Sequence, residues 1–255
     1  MPSDSRILIT AGGAGIGRAM GVAFTGAGAR VWVTDVDAEA LAACPDSWRK
    51  TQADAADPAA MSALFNEIET EWSGLDTLAA NAGIAGPTAL VEEVAFADWK
   101  RCLAVNLDGA FLAAHHAAPM MKRQGSGALL ITSSVAGLFG LPRRTPYSTA
   151  KWGMIGLMKT LAMELGPHGI RVNALCPGAV EGPRIDRVIA AKAEAEGLPI
   201  DQVHDSFASA SAMRTFVTAS DIANMALFLA SPEARHVSGQ AIAVDGGYYN
   251  PDPKI

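Results

Sequence analysis

Short apolar runs alternate along the chain with longer segments of helical periodicity. Six apolar runs predict strands over residues 6–10, 30–35, 75–81, 128–133, 171–176 and 241–244, and residues 50–54 are a candidate for a further strand. The intervening segments predict helices over residues 15–28, 38–43, 58–72, 96–123, 147–165, 186–196 and 220–230. Most of the strands are continuously apolar rather than alternating, which is typical of a parallel sheet covered on both faces.

The repeated strand–helix units predict the fold class. Parallel neighbouring strands need right-handed helical crossovers, so such units wind into an α/β domain with helices on both faces. We therefore expect a Rossmann-like, doubly wound parallel sheet of about seven strands. No linker divides the chain, so residues 1–255 are predicted to form one domain. Residues 178–218 interrupt the strand–helix rhythm and are predicted to form a cap over one edge of the sheet.

The composition supports a large core and excludes several classes of protein. Of the 255 residues, 50% are hydrophobic and 18% are charged, which excludes a disordered chain. The net charge of −6 argues against nucleic acid or an anionic membrane as a partner. The three cysteines are far apart, so neither a zinc site nor a disulfide framework is predicted. No signal peptide and no apolar run of about 18 residues is recognised, so we expect a soluble cytoplasmic protein.

A glycine-rich loop follows the first predicted strand and opens the first predicted helix. Its candidate binding residues are Thr10, Gly12, Gly13, Gly15, Ile16 and Gly17. Small residues at a helix N-terminus let the backbone approach a pyrophosphate, whose charge the helix dipole stabilises. A tight strand-to-helix turn without a ligand would show the same glycines, but the strand before and the helix after favour a dinucleotide.

Asp35 ends the second predicted strand, about twenty residues after the loop. A carboxylate at this point accepts hydrogen bonds from the ribose hydroxyls of the adenosine and repels a 2′-phosphate. The sequence therefore favours NAD over NADP. An ordinary turn aspartate is the alternative, Asp37 competes for the role, and Arg18 and Arg30 lie near enough in sequence to weaken the preference.

Tyr147 and Lys151 are four residues apart on one face of a predicted helix. A lysine ammonium beside a phenol lowers the pKa of that phenol and makes it usable as an acid or base near neutral pH. Ser134 follows the fifth predicted strand and Asn81, Ala82 and Gly83 follow the fourth, where ligands bind in open α/β sheets. Each motif alone has a structural alternative, a surface contact for the tyrosine–lysine pair and an exposed helical asparagine for Asn106.

Together and in this order, these motifs resemble the classical short-chain dehydrogenase/reductase family over residues 6–247. The resemblance implies that Tyr147 is the catalytic acid/base, that Lys151 binds the nicotinamide ribose and lowers the Tyr147 pKa, and that Ser134 holds the substrate oxygen. It implies that Asn106 positions a proton-relaying water. The remaining residues that it assigns to cofactor binding are Asp54 at the adenine, Asn81, Ala82, Gly83, Pro177, Gly178 and Val180.

The resemblance also implies one dinucleotide-binding and catalytic domain with a substrate-side cap. It implies a homotetramer or homodimer in which the helices over 96–123 and 147–165 form an interface. Two departures stand out. Ala11 replaces the glycine that usually follows the first threonine, and Gly12 and Gly13 are expected to absorb the difference. Gly182 stands where the family often has a threonine that contacts the nicotinamide amide.

Arg143, Arg144 and Arg184 are the candidate substrate residues, because arginine binds carboxylate, phosphate or sulfonate in bidentate fashion. The alternative is a role in subunit contacts or in pairing with Glu181 or Asp186. His115 and His116 have no partners at metal-ligand spacing, so no metal is predicted.

Three functions are compatible with the sequence. The first is an NAD-dependent oxidoreductase that interconverts a small secondary alcohol and its ketone, on a polar or anionic small-molecule substrate. The second is a 3-oxoacyl-carrier-protein reductase, which would use NADPH and which Asp35 disfavours. The third is a non-catalytic nucleotide-binding scaffold, disfavoured by the intact Ser134, Tyr147 and Lys151.

Overall fold

The computed structural model describes residues 3–249, so residues 1–2 and 250–255 of the predicted domain lie outside the described part. The strands are β1 (Arg6–Thr10), β2 (Arg30–Asp35), β3 (Arg49–Gln52), β4 (Thr77–Ala80), β5 (Gly127–Thr132), β6 (Ile170–Pro177) and β7 (Ala241–Val244). All neighbouring strands are parallel, in the order β3-β2-β1-β4-β5-β6-β7. This order confirms the predicted doubly wound sheet, and its direction reverses between β1 and β4, where such sheets bind ligands.

The helices cover both faces of the sheet. They are α1 (Gly15–Gly26), α2 (Ala38–Ala42), α3 (Pro58–Trp72), α4 (Phe96–Leu103), α5 (Gly109–Gln124), α6 (Thr145–Leu165), α7 (Pro183–Glu196), α8 (Ile200–Ser209) and α9 (Ala219–Ala230). Neighbouring positions of one strand serve different layers: Leu8 packs in the core with α3, α5 and α6, whereas Ile7 and Ile9 pack with α1 and α9. The continuous apolar strands thus have their expected physical cause.

The long helix predicted over 96–123 forms with an interruption. A π-helical segment, Ala104–Asp108, joins α4 to α5. Such a segment inserts an extra residue into the helix and often occurs at functional sites. It carries the buried Asn106, which the sequence placed within one continuous helix.

Residues 178–218 contain two helices, although the sequence predicted only the first of them. Helix α7 begins at Pro183, three residues before the predicted start, and α8 was not predicted. The two helices pack around a small core of their own, formed by Ile189, Ala193 and Val203 with partly buried neighbours that include Phe207. The spacing of Val203 and Phe207, four residues apart, is the helical signal that the sequence offered for α8.

No helix within residues 3–249 is both long enough and apolar enough to span a bilayer.

Candidate functional site

A cavity of about 550 Å³ opens at the carboxyl edge of the sheet. The loop after β1, the residues that follow β4, β5 and β6, and α7 line it together. The predicted residues that line it are Gly15, Ile16, Asp35, Asn81, Gly83, Ser134, Arg143, Arg144, Tyr147, Lys151, Pro177, Gly178, Val180 and Arg184. Those that do not line it are Thr10, Gly12, Gly13, Gly17, Asp54, Ala82 and Asn106. Most of the predicted residues therefore share one cavity, and several of the others support its walls.

The glycine loop is fixed from below by Asn81. The Asn81 amide nitrogen Nδ2 donates to the carbonyl oxygens of Thr10 and Ala11, both at 3.2 Å. In return, the Thr10 hydroxyl accepts from the backbone N–H groups of Asn81 and Ala82 at 3.0 Å. Gly17 packs so closely on the Ala11 carbonyl and the Asn81 side chain that no Cβ would fit. The loop therefore has the close backbone packing of a pyrophosphate cradle.

Ala11 itself adopts the left-handed backbone conformation, with φ of +51°. The expectation that Gly12 and Gly13 would absorb the departure was wrong, because neither has a positive φ. Gly12 is instead required for packing, since a Cβ there would lie 2.5 Å from the Val33 side chain. An alanine in this conformation costs about 1 kcal/mol. The loop keeps its shape at that cost.

Asp35 stands directly against the glycine loop. One carboxylate oxygen accepts from the Gly13 backbone N–H at 3.0 Å, and the other accepts from the Asp37 N–H at 3.2 Å. Asp37 is the N-cap of α2 and accepts from two backbone N–H groups of that helix. Asp37 is therefore engaged in capping, and Asp35 is the carboxylate that lines the cavity. Asp54 is exposed and accepts from the Ala56 N–H at 2.9 Å, outside the cavity lining.

Tyr147 and Lys151 lie one turn apart near the start of α6, with the Lys151 Nζ 5.5 Å from the centre of the Tyr147 ring. Lys151 is buried, and its Nζ donates to the Thr132 carbonyl at 2.8 Å. Burial lowers the pKa of Lys151 to about 8, against the attraction of Tyr147 and with repulsion from Arg184. Burial raises the pKa of the Tyr147 phenol, but Arg184, Lys151, a hydrogen bond with Ser134 and Arg144 together bring that pKa below its usual value. The phenol is therefore placed beside cations that favour its ionised form, as an acid/base group requires.

Asn106 lies behind Gly83, in the π-helical segment. Its Nδ2 donates to the carbonyl oxygens of Cys102 at 2.8 Å and Ile84 at 3.1 Å, while its buried Oδ1 has no partner. A Cβ on Gly83 would lie 2.6 Å from this Oδ1 and 3.4 Å from the Lys151 Nζ. The missing side chain of Gly83 thus leaves space between an unpaired acceptor and a buried ammonium. A water molecule would satisfy both groups in that space.

Two of the three candidate arginines stand around the Tyr147 ring. The guanidinium carbons of Arg144 and Arg184 lie 5.0 Å and 5.8 Å from its centre. Arg144 is only 8% exposed and donates to the Ala85 carbonyl at 2.9 Å and the Thr88 hydroxyl at 3.2 Å. Neither arginine makes an ion pair with a carboxylate of residues 3–249.

Arg143 differs from its neighbour. Its Nε lies 3.6 Å from a carboxylate oxygen of Glu196, at the end of α7, and its backbone is left-handed with φ of +60°. The pairings with Glu181 or Asp186 considered from the sequence are not found among the described residues, and Glu196 takes that place. Arg143 thus connects the loop before α6 to the far end of α7.

The sequence missed part of the cavity wall. Leu141, Val188, Phe207 and Tyr248 line it with apolar surface. They belong to no motif, and only the topology brings the loop before α6, the two helices of the 178–218 segment and the residues after β7 to one place. His115 and His116 lie elsewhere, where His116 stacks on Phe65 at 5.3 Å. Residues 3–249 hold no cluster of three or more metal-ligand side chains.

Comparison with known proteins gives one family match over nearly the whole chain. The family model described as "Enoyl-(Acyl carrier protein) reductase" matches residues 10–249. Levodione reductase of Leifsonia aquatica is 31% identical over 254 residues, which cover 96% of this chain and 94% of the relative. A crystal structure of levodione reductase superposes with a TM-score of 0.91 at 30% identity, covering 96% of this chain and 98% of that one.

Two further proteins extend the comparison. Cis-4-hydroxycyclohexanecarboxylate dehydrogenase of Sinomonas cyclohexanicum is 34% identical over 247 residues, covering 94% of this chain and 95% of the relative. The crystal structure of an NAD⁺-bound xylitol dehydrogenase superposes with a TM-score of 0.92 at 25% identity, covering 96% of this chain and 99% of that one.

Proposed function

The chain belongs to the short-chain dehydrogenase/reductase family and is an NAD(P)-dependent oxidoreductase acting on CH–OH groups, and we propose that it uses NAD to interconvert a small secondary alcohol and its ketone. The observation that carries this proposal is the Tyr147 phenol, which faces the cavity beside Lys151 and Ser134 with a lowered pKa. A scaffold without catalysis would have no need for a buried lysine of depressed pKa beside a phenol.

The residues of the cavity fit a dinucleotide. The closely packed glycine loop at the α1 N-terminus suits a pyrophosphate, and Asp35 suits the adenosine ribose. We assign cofactor contacts to the glycine loop, Asn81, Gly83, Lys151 and the residues after β6. Asp54 is a weaker candidate for such a contact because it lies outside the cavity lining. The cofactor supplies the hydride chemistry when it is bound.

In alcohol oxidation, the Tyr147 phenolate accepts the proton of the substrate hydroxyl. A nicotinamide cofactor held by the glycine loop, Asn81 and Lys151 would accept the hydride of the carbinol carbon. Ser134 donates a hydrogen bond to the substrate oxygen and fixes its position. Lys151 stabilises the phenolate by its charge, since it is the cation four residues along the same helix. The unpaired Oδ1 of Asn106 holds the water that carries the proton onward from Lys151. Reduction of the ketone reverses these steps.

The choice of cofactor is tested at Asp35. We expect wild-type protein to bind NADH at least tenfold more tightly than NADPH, because the carboxylate accepts from the ribose hydroxyls and repels a 2′-phosphate. Asp35→Asn keeps the shape and removes the charge, so the NADH/NADPH affinity ratio is expected to fall about tenfold or more, in line with a charged hydrogen bond. Titration of each nucleotide by fluorescence at one salt concentration measures the ratio.

Asp37→Ser is the matched control, because serine retains the α2 N-cap and Asp37 is the neighbouring carboxylate. Its NADH/NADPH ratio is expected to equal that of the wild type. A wild-type preference for NADPH would contradict the assignment and favour a carrier-protein reductase, the kind of activity that the description of the family model names. Binding of neither nucleotide would favour the scaffold.

The substrate is a polar or anionic small molecule in this proposal, with Arg144 and Arg184 as its candidate ligands, whereas Arg143 pairs with Glu196. We further propose that the protein acts as a homotetramer or homodimer. Exposed apolar side chains support self-association. Phe111 on α5 and Trp152 and Met163 on α6 are 51%, 51% and 80% exposed. Large exposed apolar residues on adjacent helices are typical of an interface.

Replacement of Trp152 by glutamate is expected to shift the protein toward monomer, since a charge at the centre of an apolar interface is desolvated without a partner. Sedimentation velocity measures the mass of both proteins. Met213→Glu, at a residue 72% exposed and outside these helices, is the control and is expected to sediment as the wild type. A monomeric wild type would refute the assembly and leave the proposed chemistry untouched.

A further inference from the structure

The charge lining the cavity is opposite to that of the whole chain. The chain carries a net charge of −6, yet six basic and three acidic side chains line the cavity. The acidic Asp35 stands at the glycine loop, whereas Arg144, Lys151 and Arg184 surround the Tyr147 ring. The end of the cavity where the reacting oxygen would bind is therefore strongly positive.

Arg144 is the most unusual side chain at this end of the cavity, because its charge is buried. Buried charges in proteins are normally paired, because an unpaired one loses the solvation of water without compensation. Arg144 is almost fully buried, and its guanidinium makes only two hydrogen bonds within the described residues, both to neutral oxygens of the segment after β4. These bonds hold the guanidinium against the face of Tyr147, with no carboxylate of residues 3–249 to balance it. Apart from the Tyr147 phenolate, the described residues thus offer this cation no anionic partner, and a bound anion would supply one.

The two other arginines considered from the sequence behave differently from each other. Arg143 already has Glu196 as its partner, so it is unsuited to hold a substrate anion. Arg184 stands on the Tyr147 ring from the α7 side, without a carboxylate partner. Arg144 and Arg184 therefore present two guanidinium groups around the Tyr147 ring. A pyrophosphate would instead lie at the glycine loop, so the cofactor does not account for this pair.

Part of the remaining wall is apolar. Leu141, Val188, Phe207 and Tyr248 line the cavity, and the Tyr248 ring lies 6.1 Å from that of Phe139. Such a surface suits a hydrocarbon body. The substrate end of the cavity is thus cationic on one side and apolar on the other.

We propose that the substrate is a hydroxy acid, or the corresponding oxo acid, with an apolar carbon body, whose carboxylate binds between Arg144 and Arg184. Both guanidinium groups lie beside the ring that carries the acid/base hydroxyl, so the bound carboxylate would lie near the reacting carbon. Arginine's planar fork binds a carboxylate in bidentate fashion and fixes that orientation. The proposal rests on the proposed function, since it identifies the substrate class for the same site.

The test compares an acid with its neutral counterpart. Initial rates with NAD⁺ are measured for 3-hydroxy-3-phenylpropanoate, for its amide and for xylitol. We expect kcat/KM to be at least a hundredfold higher for the acid than for the amide, and lower still for xylitol. Arg184→Gln is expected to reduce the acid/amide ratio about tenfold or more, the effect of one charged hydrogen bond. The ratio isolates binding, because any effect of Arg184 on the Tyr147 pKa changes both rates alike.

Arg187→Gln is the matched control, because Arg187 lies on the same helix and lines the cavity but does not contact the Tyr147 ring. Its acid/amide ratio is expected to stay within threefold of the wild type. Arg144→Lys keeps the charge and loses the fork, so its ratio is expected to fall as well. Equal rates for acid and amide, or equal ratios in the wild type and Arg184→Gln, would overturn the proposal.

Calorimetry separates this proposal from the proposed function. The non-reacting 3-phenylpropanoate is titrated into the protein, with 3-phenylpropanamide as the neutral reference. We expect only the acid to bind, and Arg184→Gln to weaken it about tenfold. Acid-selective binding without turnover of any alcohol would support the anion site and refute the dehydrogenase. Turnover of neutral alcohols without acid selectivity would support the dehydrogenase and refute the anion site.

Discussion

Replacement of Tyr147 by phenylalanine is expected to lower kcat/KM for alcohol oxidation by about 10³-fold, within the range of general acid–base catalysis. The change removes one oxygen atom and keeps the ring on which Arg144, Lys151 and Arg184 stand. The proton of the substrate hydroxyl then has no acceptor at the reacting oxygen. Initial rates at saturating NAD⁺ measure the loss, and NADH titration is expected to show retained cofactor binding.

Tyr249→Phe is the matched control for this substitution. Its hydroxyl donates to the Ser209 carbonyl at 3.3 Å, outside the cavity lining, so kcat/KM is expected to stay within threefold of the wild type.

In the wild type, the rate of oxidation is expected to rise with pH through the lowered pKa of Tyr147, because the phenolate is the active form. A Tyr147→Phe enzyme that kept a tenth of the activity would assign the proton transfer to another group.

The layers of the fold were predictable because most strands are short and continuously apolar, although β3 is polar. The pattern of strands and helices along the chain predicted a doubly wound sheet. In a sheet of that class the strand order reverses, as it does here between β1 and β4. Helix α8 was missed, because Gly197 and Pro199 precede it and its apolar residues serve the small core of the 178–218 segment rather than the main one. The hydrophobic pattern that identifies helices covering the sheet is therefore weak in a helix that packs on a small local core.

The candidate catalytic residues were identified for a different reason, since they resemble a family's motifs in order and spacing. The resemblance identified Asn106 as a candidate. Only the structure shows that a π-helical segment carries this residue and that its buried Oδ1 has no hydrogen-bond partner. The limit of prediction from the sequence is clearest at the adjacent residues Arg143 and Arg144. The sequence cannot separate Arg143 from Arg144, because the left-handed backbone of Arg143 decides which side chain reaches Glu196 and which reaches Tyr147.

The backbone conformation of Ala11 was likewise not predictable from the sequence. The sequence identified a departure from glycine and assigned its relief to the two glycines that follow. In the structure the alanine itself takes the left-handed conformation, and Gly12 is instead needed where its backbone packs against Val33. Close packing of neighbours decided where the strain lies, and a local pattern does not contain that information.

Replacement of Lys151 by methionine is expected to lower activity and raise stability at once. The loss in kcat/KM is expected to be at least a hundredfold, because the phenol loses the ammonium that stabilises its phenolate and the proton loses its route past Asn106. The gain in stability arises because methionine fills a similar volume without burying a charge.

The sign of the stability effect follows from the pKa of Lys151. Burial lowers this pKa to about 8 from the ordinary 10.5. Between these values the unfolded chain binds the proton more tightly than the folded one, so the free energy of unfolding rises with pH. The full cost of about 3 kcal/mol applies below pH 8 and disappears above 10.5. Loss of the hydrogen bond to the Thr132 carbonyl costs methionine about 1 kcal/mol in return.

Urea denaturation of the protein without cofactor, at pH 7 and at pH 10.5, measures both terms. We expect Lys151→Met to be about 2 kcal/mol more stable than the wild type at pH 7, and slightly less stable at pH 10.5. Lys159→Met is the control on the same helix, because Lys159 is exposed and donates to the Gly239 carbonyl at the surface. It is expected to keep the pH dependence of the wild type.

A Lys151→Met protein that was less stable than the wild type at both pH values would show that the site satisfies the ammonium charge. The expected result has a broader consequence. A buried ammonium that destabilises the fold below pH 8 is retained only where the chemistry uses it, and this one stands between the phenol and the unpaired oxygen of Asn106. Opposite changes in activity and stability from one substitution would therefore distinguish a catalytic lysine from a structural one, whose loss lowers both.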